Sequence, residues 1–248
     1  MKVVAFIGSG RKGHTYSATE LFLKKLQLKG DIEYEIVPLS DYNLQICKGC
    51  SLCLNKGEEL CPLRDDRDKL LEKIENADGI IFATPNYSFD VSGLMKVFLD
   101  RFGFVFHRPR YFGKVFTNIV VQGVYRGDKI VNYLNFIGKA LGTNVKGSCL
   151  ITREPIPEKR QKKNDEILEN HSKRFYKQLI KKGLPSPSIF ELMIFRLSRN
   201  GISKNLNETF KDYIYFKEKG WFESDFYYPV DLSFPKKIVG LMFDHIKM

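Results

Sequence analysis

Lys2-Val-Val-Ala-Phe-Ile7 is an apolar run that leads directly into a glycine loop, Gly8-Ser-Gly-Arg-Lys-Gly-His-Thr15. Few architectures accept that order. A short apolar run with little alternation is a strand covered on both faces, as in a parallel sheet. After the loop, Tyr16 to Lys29 places Ala18, Leu21, Phe22 and Leu26 on one helical face. The reading is strand, glycine loop, helix, and a strand buried on both sides requires neighbours.

The next residues supply them. Ile32 to Leu39 reads as a second strand, Ile80 to Thr84 as a third, Lys114 to Gln122 as a fourth and Asn144 to Ile151 as a shorter fifth. Amphipathic helices fall between them at Arg67 to Ala77, Val91 to Phe102 and Asp128 to Leu141. Five strands alternating with four helices imply a parallel sheet with right-handed crossovers. In such open sheets a ligand lies beyond the carboxyl ends of the strands. Gly8 to Thr15, Pro85 to Asp90 and Gln122 to Gly127 meet that description.

The first of these loops suits a phosphate. N–H groups at a helix start are unpaired, and the helix dipole favours an anion there. Ser9 and Thr15 add hydroxyls; Arg11, Lys12 and His14 add positive charge. No Gly-Lys-Ser/Thr follows at Walker A spacing. Gly8, Gly10 and Gly13 satisfy G-x-G-x-x-G, but the second strand does not end in an acid for a dinucleotide ribose. The other two loops offer the rings of Tyr87, Phe89 and Tyr125 with backbone amides. Together the loops fit a phosphorylated planar ring.

Between the second strand and the next helix stands Cys47-Lys-Gly-Cys50-Ser-Leu-Cys53, with Cys61-Pro62 downstream. The run begins as the bacterial ferredoxin motif does, but its last gap is seven residues rather than three. A [4Fe-4S] cluster, a four-cysteine zinc site, reactive metal-free thiols and inert thiols all remain open on spacing alone. Asp65-Asp66 reads as the cap of the following helix. Cys149 reads as a buried packing thiol; His107, His171 and His245 read as surface or packing residues.

Charge excludes little by itself. The 248 residues carry a formal net charge of +11, but lysines alternate with acids as on solvated helix faces, so no nucleic-acid partner is expected. No run of about eighteen apolar residues occurs. The first apolar run is too short for a signal peptide. A cytoplasmic location is the expectation, and in that compartment grouped cysteines read as metal or redox chemistry.

Residues 152–248 read as a second, helical part after a domain of residues 1–151. Pro155 to Gly183 is charged and amphipathic; Ile189 to Leu197 is a short apolar helix. Asn207 to Gly220 is helical, an aromatic cluster runs from Trp221 to Pro229, and a last helix runs from Phe234 to Met248. This annex is expected to pack on the core or on a second subunit. A lid over the ligand is a sharper alternative; contact with an anionic membrane surface is disfavoured.

Three motifs then carry a resemblance. Gly8-Ser9-x-Arg11-Lys12 with Thr15, Ala83-Thr84-Pro85-x-Tyr87 followed by Val91-Ser92-Gly93-x-x-Lys96-x-Phe98-x-Asp100-Arg101, and the cysteine run followed by Asp65-Asp66 occur in one order over residues 1–151. The chain resembles the flavodoxin-like NAD(P)H-dependent FMN reductases and, within them, the iron-sulfur flavoproteins. Gly10 and His14 stand where the family usually has proline and asparagine.

The resemblance implies an α/β, flavodoxin-like doubly wound five-stranded parallel sheet; the C-terminal helical extension from Thr152 onward is a departure that the family core does not cover. It implies that Ser9, Arg11, His14, Thr15 and Tyr16 hold an FMN phosphate. Pro85, Asn86, Tyr87 and Ser88 would lie along the ring edge, with Gln122 and Gly123 opposite. It implies Cys47, Cys50, Cys53 and Cys61 as ligands of a [4Fe-4S] cluster. No protein nucleophile or base is required, because the flavin carries the chemistry. Electrons from a ferredoxin-like donor or NAD(P)H would pass through cluster and FMN to a small acceptor, in a homo-oligomer, dimer or tetramer. The alternatives are an NAD(P)H-dependent FMN or quinone reductase without a cluster, and a flavodoxin-like electron carrier.

Overall fold

The structure, a computed structural model, describes residues 1–147, 149–153, 156–181 and 183–244. In chain order the elements are β1 (Lys2–Ile7), α1 (His14–Gln27), β2 (Glu33–Pro38), α2 (Leu52–Asn55), α3 (Arg67–Glu75), β3 (Gly79–Pro85), α4 (Gly93–Arg101), α5 (Gly103–His107), β4 (Val115–Gln122), α6 (Gly127–Ala140), β5 (Asn144–Val145), β6 (Cys149–Thr152), α7 (Glu158–Leu179), α8 (Ile189–Asn205), α9 (Lys211–Glu218) and α10 (Phe234–Asp244). The rest of the expected last helix, with His245, lies outside the described residues.

All strand pairs are parallel, in the order β2-β1-β3-β4-β5, with β6 also on β4. This is the flavodoxin-like order. The expected single fifth strand is two short pieces: β5 pairs with Val115 and Phe116, and β6 with Ile119 to Gln122. Gly147, just after β5, has φ 65°, a left-handed value that breaks strand geometry.

The chain forms two compact units. One comprises Met1–Lys48 and Leu63–Lys182; the other comprises Gly49–Pro62 and Gly183–Met248. The units therefore do not divide at residue 151. The reason lies in α7, expected to belong to the extension. Its Leu168 and Phe175 sit in the core cluster with Phe22, Leu26, Ile119 and Cys149. Burying each such side chain contributes about 1.5–3 kcal/mol, enough to hold a highly charged helix on the sheet. On the same α7 face, His171 is fully buried and its Nε2 lies 2.6 Å from the Thr117 hydroxyl.

In the second unit α8 runs eight residues further than the sequence pattern indicates. Ser188 and Glu191 start it with a reciprocal capping box. Arg196 and Arg199 on α8 both pair with Asp244 on α10, and Arg196 also reaches Asp225. The aromatic cluster packs edge to face, with Trp221 4.7 Å from Tyr227 and 4.9 Å from Phe216. No helix among the described residues is long and apolar enough to cross a membrane.

Candidate functional site

Because every strand is parallel, the loops after β1, β3, β4 and β6 emerge at one edge of the first unit. The Gly8–Gly13 loop leaves β1 there. Gly8 donates its N–H to the Ala83 carbonyl, and its own carbonyl accepts from the Ser92 hydroxyl. Ser92 also accepts from the Met95 N–H at 3.1 Å, which caps α4. One side chain thus joins the glycine loop to the helix after the ring loop.

Gly13 occupies the cap of α1 with no side-chain hydrogen bond, and the first turn of α1 contains no acid. Space above Gly10 is open within 4 Å. Ser9 and Thr15 are buried, while Arg11, Lys12 and His14 are exposed and Tyr16 is half-buried. Lys12 lies over the Tyr16 ring, 5.4 Å from its centroid. Ser9 donates to the Arg11 carbonyl at 2.8 Å, which folds the loop back on itself. Open N–H groups, a positive helix end, the cations Arg11 and Lys12 and the His14 ring fit the phosphate end of FMN.

The ring loop is a two-residue turn closed from both ends. Tyr87 N–H donates to the Asp90 carbonyl at 3.1 Å and Asp90 N–H to the Tyr87 carbonyl at 3.0 Å. Its central residues, Ser88 and Phe89, have φ 51° and 67°. That is the primed hairpin geometry, which usually employs Asn or Gly. Pro85 is buried at the end of β3. Asn86 donates its N–H to the Val121 carbonyl at 2.8 Å and its Nδ2 to the Tyr125 carbonyl at 3.0 Å. The structure therefore brings Pro85, Asn86, Tyr87 and Ser88 beside the Gln122–Tyr125 loop. Gln122 turns its amide oxygen to the Gly127 N–H at 2.9 Å, capping α6, so that oxygen is engaged within the protein. Tyr87, Phe89 and Tyr125 are more than half exposed, an uncovered set of rings at the strand ends.

The cysteine loop is distributed between the units. Cys47 belongs to the first unit, whose stretch ends at Lys48, whereas Cys50, Cys53 and Cys61 belong to the second. Asp65 and Asp66 do more than cap a helix. Asp65 accepts from the Gln45 and Arg67 N–H groups, and Asp66 accepts from the Asn43 N–H at 2.8 Å. Asp66 stands at the cap of α3 with no side-chain bond to a helix N–H, and pairs with Lys69 in the first turn at 2.7 Å. The two carboxylates close the loop's ends on each other. Within the second unit, α2 packs against α9, Lys56 donates to the Thr209 carbonyl at 3.2 Å, and Glu59 lies 3.9 Å from Lys211. Cys47 and Cys50 are exposed, Cys53 is half-buried and Cys61 is buried. Among the described residues, no three His, Cys, Asp or Glu side chains converge as a metal site. Four thiols in one loop are the donor set of a [4Fe-4S] cluster.

Sequence reasoning missed the Asn86–Tyr125 tie, the Ser92–Gly8 link and the loop-closing role of Asp65. Only Ser92 left a sequence signal, as a serine three residues before a helix N–H it could cap.

A parallel 2-1-3-4-5 sheet with a glycine loop opening α1 and an exposed loop after β3 defines a flavodoxin-like α/β protein. The profile of NADPH-dependent FMN reductases matches residues 1–154, and the chain belongs to that family. It is 33% identical over 227 residues to an iron-sulfur flavoprotein of Archaeoglobus fulgidus, covering 89% of this chain and all of the relative. It is 29% identical over 224 residues to an iron-sulfur flavoprotein of Clostridioides difficile, covering 88% of this chain and 95% of that one. The fold matches the crystal structure of RosB bound to 8-demethyl-8-formylriboflavin-5'-phosphate, with a TM-score of 0.58 at 14% identity, over 94% of this chain and 92% of RosB. The protein is thus a flavin-dependent oxidoreductase of the FMN reductase family.

Proposed function

We propose that the chain is an iron-sulfur flavoprotein that takes electrons from a ferredoxin-like donor or NAD(P)H and delivers them to a small acceptor. The observation that supports it best is the pairing of an FMN phosphate loop with four cysteines in a chain similar along most of its length to proteins of that name. Bound FMN supplies the hydride and electron chemistry.

The chain's own residues bind and orient it. Ser9, Arg11, His14, Thr15 and Tyr16 hold the phosphate at the start of α1. Pro85, Asn86, Tyr87 and Ser88 form one side of the ring site, and Gln122 and Gly123 the other. The tie from Asn86 to the Tyr125 carbonyl keeps the two sides at a set spacing. The exposed rings of Tyr87 and Tyr125 leave room for a small reactant, which favours a reductase over a carrier with a covered cofactor.

Cys47, Cys50, Cys53 and Cys61 are the ligand set for a [4Fe-4S] cluster in this reading. The deciding measurement is the absorption spectrum with iron and sulfide content after anaerobic purification. Flavin bands with about four irons and four sulfides per chain support it. Flavin without iron under strict anaerobic handling assigns the chain to cluster-free NAD(P)H-dependent reductases instead.

A further inference from the structure

The ring loops carry two arginines beside the rings of Phe89 and Tyr125. Phe89 and Tyr125 have ring centroids 5.5 Å apart, and the Arg126 guanidinium lies over Phe89, 5.9 Å from the centroid. Strand register adds a second cation. Gln122 pairs with Thr152, so the next residue, Arg153, falls beside Gly123. Arg153 donates its N–H to the Gln122 carbonyl at 2.9 Å, and its Nε lies 3.4 Å from where a side chain on Gly123 would begin. Both arginines are exposed, and among the described residues neither is paired with a carboxylate. Asp90 accepts the Val91 N–H at 2.7 Å, and Asp128 lies in the first turn of α6.

An exposed arginine alone means little, but the backbone here is costly. Ser88, Phe89 and Arg126 all have left-handed φ, at 51°, 67° and 67°. Each such residue costs about 1–2 kcal/mol relative to an ordinary conformation, and strain of this kind concentrates at ligand sites. Its consequence here is to bring Phe89 and Arg126 together at the open edge. A guanidinium on a ring is weakly hydrated and presents a fork of donors that matches carboxylate, sulfonate or phosphate.

We propose that Arg126 and Arg153 select a planar acceptor bearing an anionic group, with its ring set against Phe89 and Tyr125. This rests on the reading of the chain as a flavin oxidoreductase. The anion lies between the two guanidinium groups, and the arginines act in specificity, not in the electron transfer itself.

The test uses the full chain loaded with FMN and two probes of one ring system, 1,4-naphthoquinone and its 2-sulfonate. Binding is read without turnover, from the perturbation of the oxidised flavin spectrum, and kcat/KM is read separately. The double variant Arg126→Gln/Arg153→Gln is expected to bind the sulfonate about tenfold more weakly, in line with a lost charge-assisted hydrogen bond. The neutral quinone and the FMN affinity are expected to stay within about twofold, the scatter of surface substitutions. Added salt should erode the preference for the sulfonate in the parent protein. Arg126→Gly, which accepts the left-handed backbone, is the second variant if the first folds poorly. Equal loss for both probes, no loss for either, or loss of FMN itself overturns the proposal. Failure of the flavin reading is distinguishable, because the parent protein then binds no FMN before any probe is added.

Discussion

Arg101 grips Asp65 with two parallel bonds, Nε at 3.0 Å and Nη2 at 2.9 Å, and both side chains are almost wholly buried. The same carboxylate receives the N–H groups on either side of the cysteine loop, from Gln45 and Arg67. The last residue of α4 is thereby coupled to the loop that carries the thiols. Asp65→Asn is expected to destabilise the protein by about 3–5 kcal/mol, since it leaves Arg101 without its charged partner. Urea unfolding measures the loss, and hydrogen exchange at residues 43–46 should rise with it.

The same pair sets an acid limit. Burial alone would raise the Asp65 carboxyl, but the Arg101 bond and the two backbone N–H groups outweigh it and hold it below the usual 3.8. A carboxylate depressed in the folded state contributes stability above its unfolded value and loses it as pH falls through the folded one. Stability attributable to Asp65 is therefore expected to be intact above about pH 4 and to vanish below. Asp65→Asn should flatten that part of an acid titration followed by circular dichroism.

Buried His171 acts in the next window up. Burial, with Arg174 nearby, lowers its pKa from 6.5 to about 4. The unfolded chain then binds a proton that the folded chain refuses, so stability falls as pH drops from about 6.5 to 4. The span corresponds to a loss on the order of 3 kcal/mol by pH 4. His171→Gln, which can still meet Thr117, is expected to remove that slope in urea titrations across pH 4–7. An unchanged slope would refute the assignment.

Gly8 has no room for a side chain. An added Cβ would stand 2.7 Å from the Met95 Cβ and 2.8 Å from the Ser92 hydroxyl. Gly8→Ala is expected to cost about 1–3 kcal/mol by overpacking. It should weaken FMN binding as well, because the displaced Ser92 anchors both the glycine loop and α4. Ser92→Ala is expected to reproduce the flavin defect with a smaller stability loss of about 1 kcal/mol. Flavin fluorescence quenching and thermal unfolding separate the two effects.

Thiol reactivity should follow the structure. Burial pushes the Cys149 thiol up to about 12, and the residue is fully covered. In metal-free protein, iodoacetamide is expected to label Cys47 and Cys50 first, Cys53 and Cys61 later, and Cys149 only on unfolding. The double variant Lys56→Met/Lys211→Met, which removes two ties from the loop to the α9 region, should speed labelling of Cys53 and Cys61 severalfold. Peptide mass spectrometry resolves each site, and unchanged rates would mean that those ties do not hold the loop.

Much of the first unit was legible in the residues. Val3 to Ile7 and Ile80 to Ala83 are apolar without alternation because both faces of those strands are covered, and the structure buries them completely. The glycine loop and the Pro85–Asp90 loop were equally readable, since strand ends in a parallel sheet place loops at one edge whatever the details. The broken fifth strand was not readable, because a single left-handed glycine interrupts an otherwise continuous run. Nor was the place of α7: its composition is that of a solvated helix, and one stripe, Asn164, Leu168, His171, Ser172 and Phe175, is buried against the core, with Ile167, Tyr176 and Leu179 beside it.

The cysteines mark the boundary most clearly. Sequence alone determined that four thiols lie close along the chain between β2 and α3, because spacing is a one-dimensional property. Only the tertiary structure decided that Cys47 stays with the sheet while Cys50, Cys53 and Cys61 go with the C-terminal helices. That assignment depends on partners more than a hundred residues away, such as Thr209 for Lys56 and Lys211 for Glu59. Local pattern carries no information about which distant surface a polar loop will meet, because its side chains satisfy themselves in water as readily as against another segment.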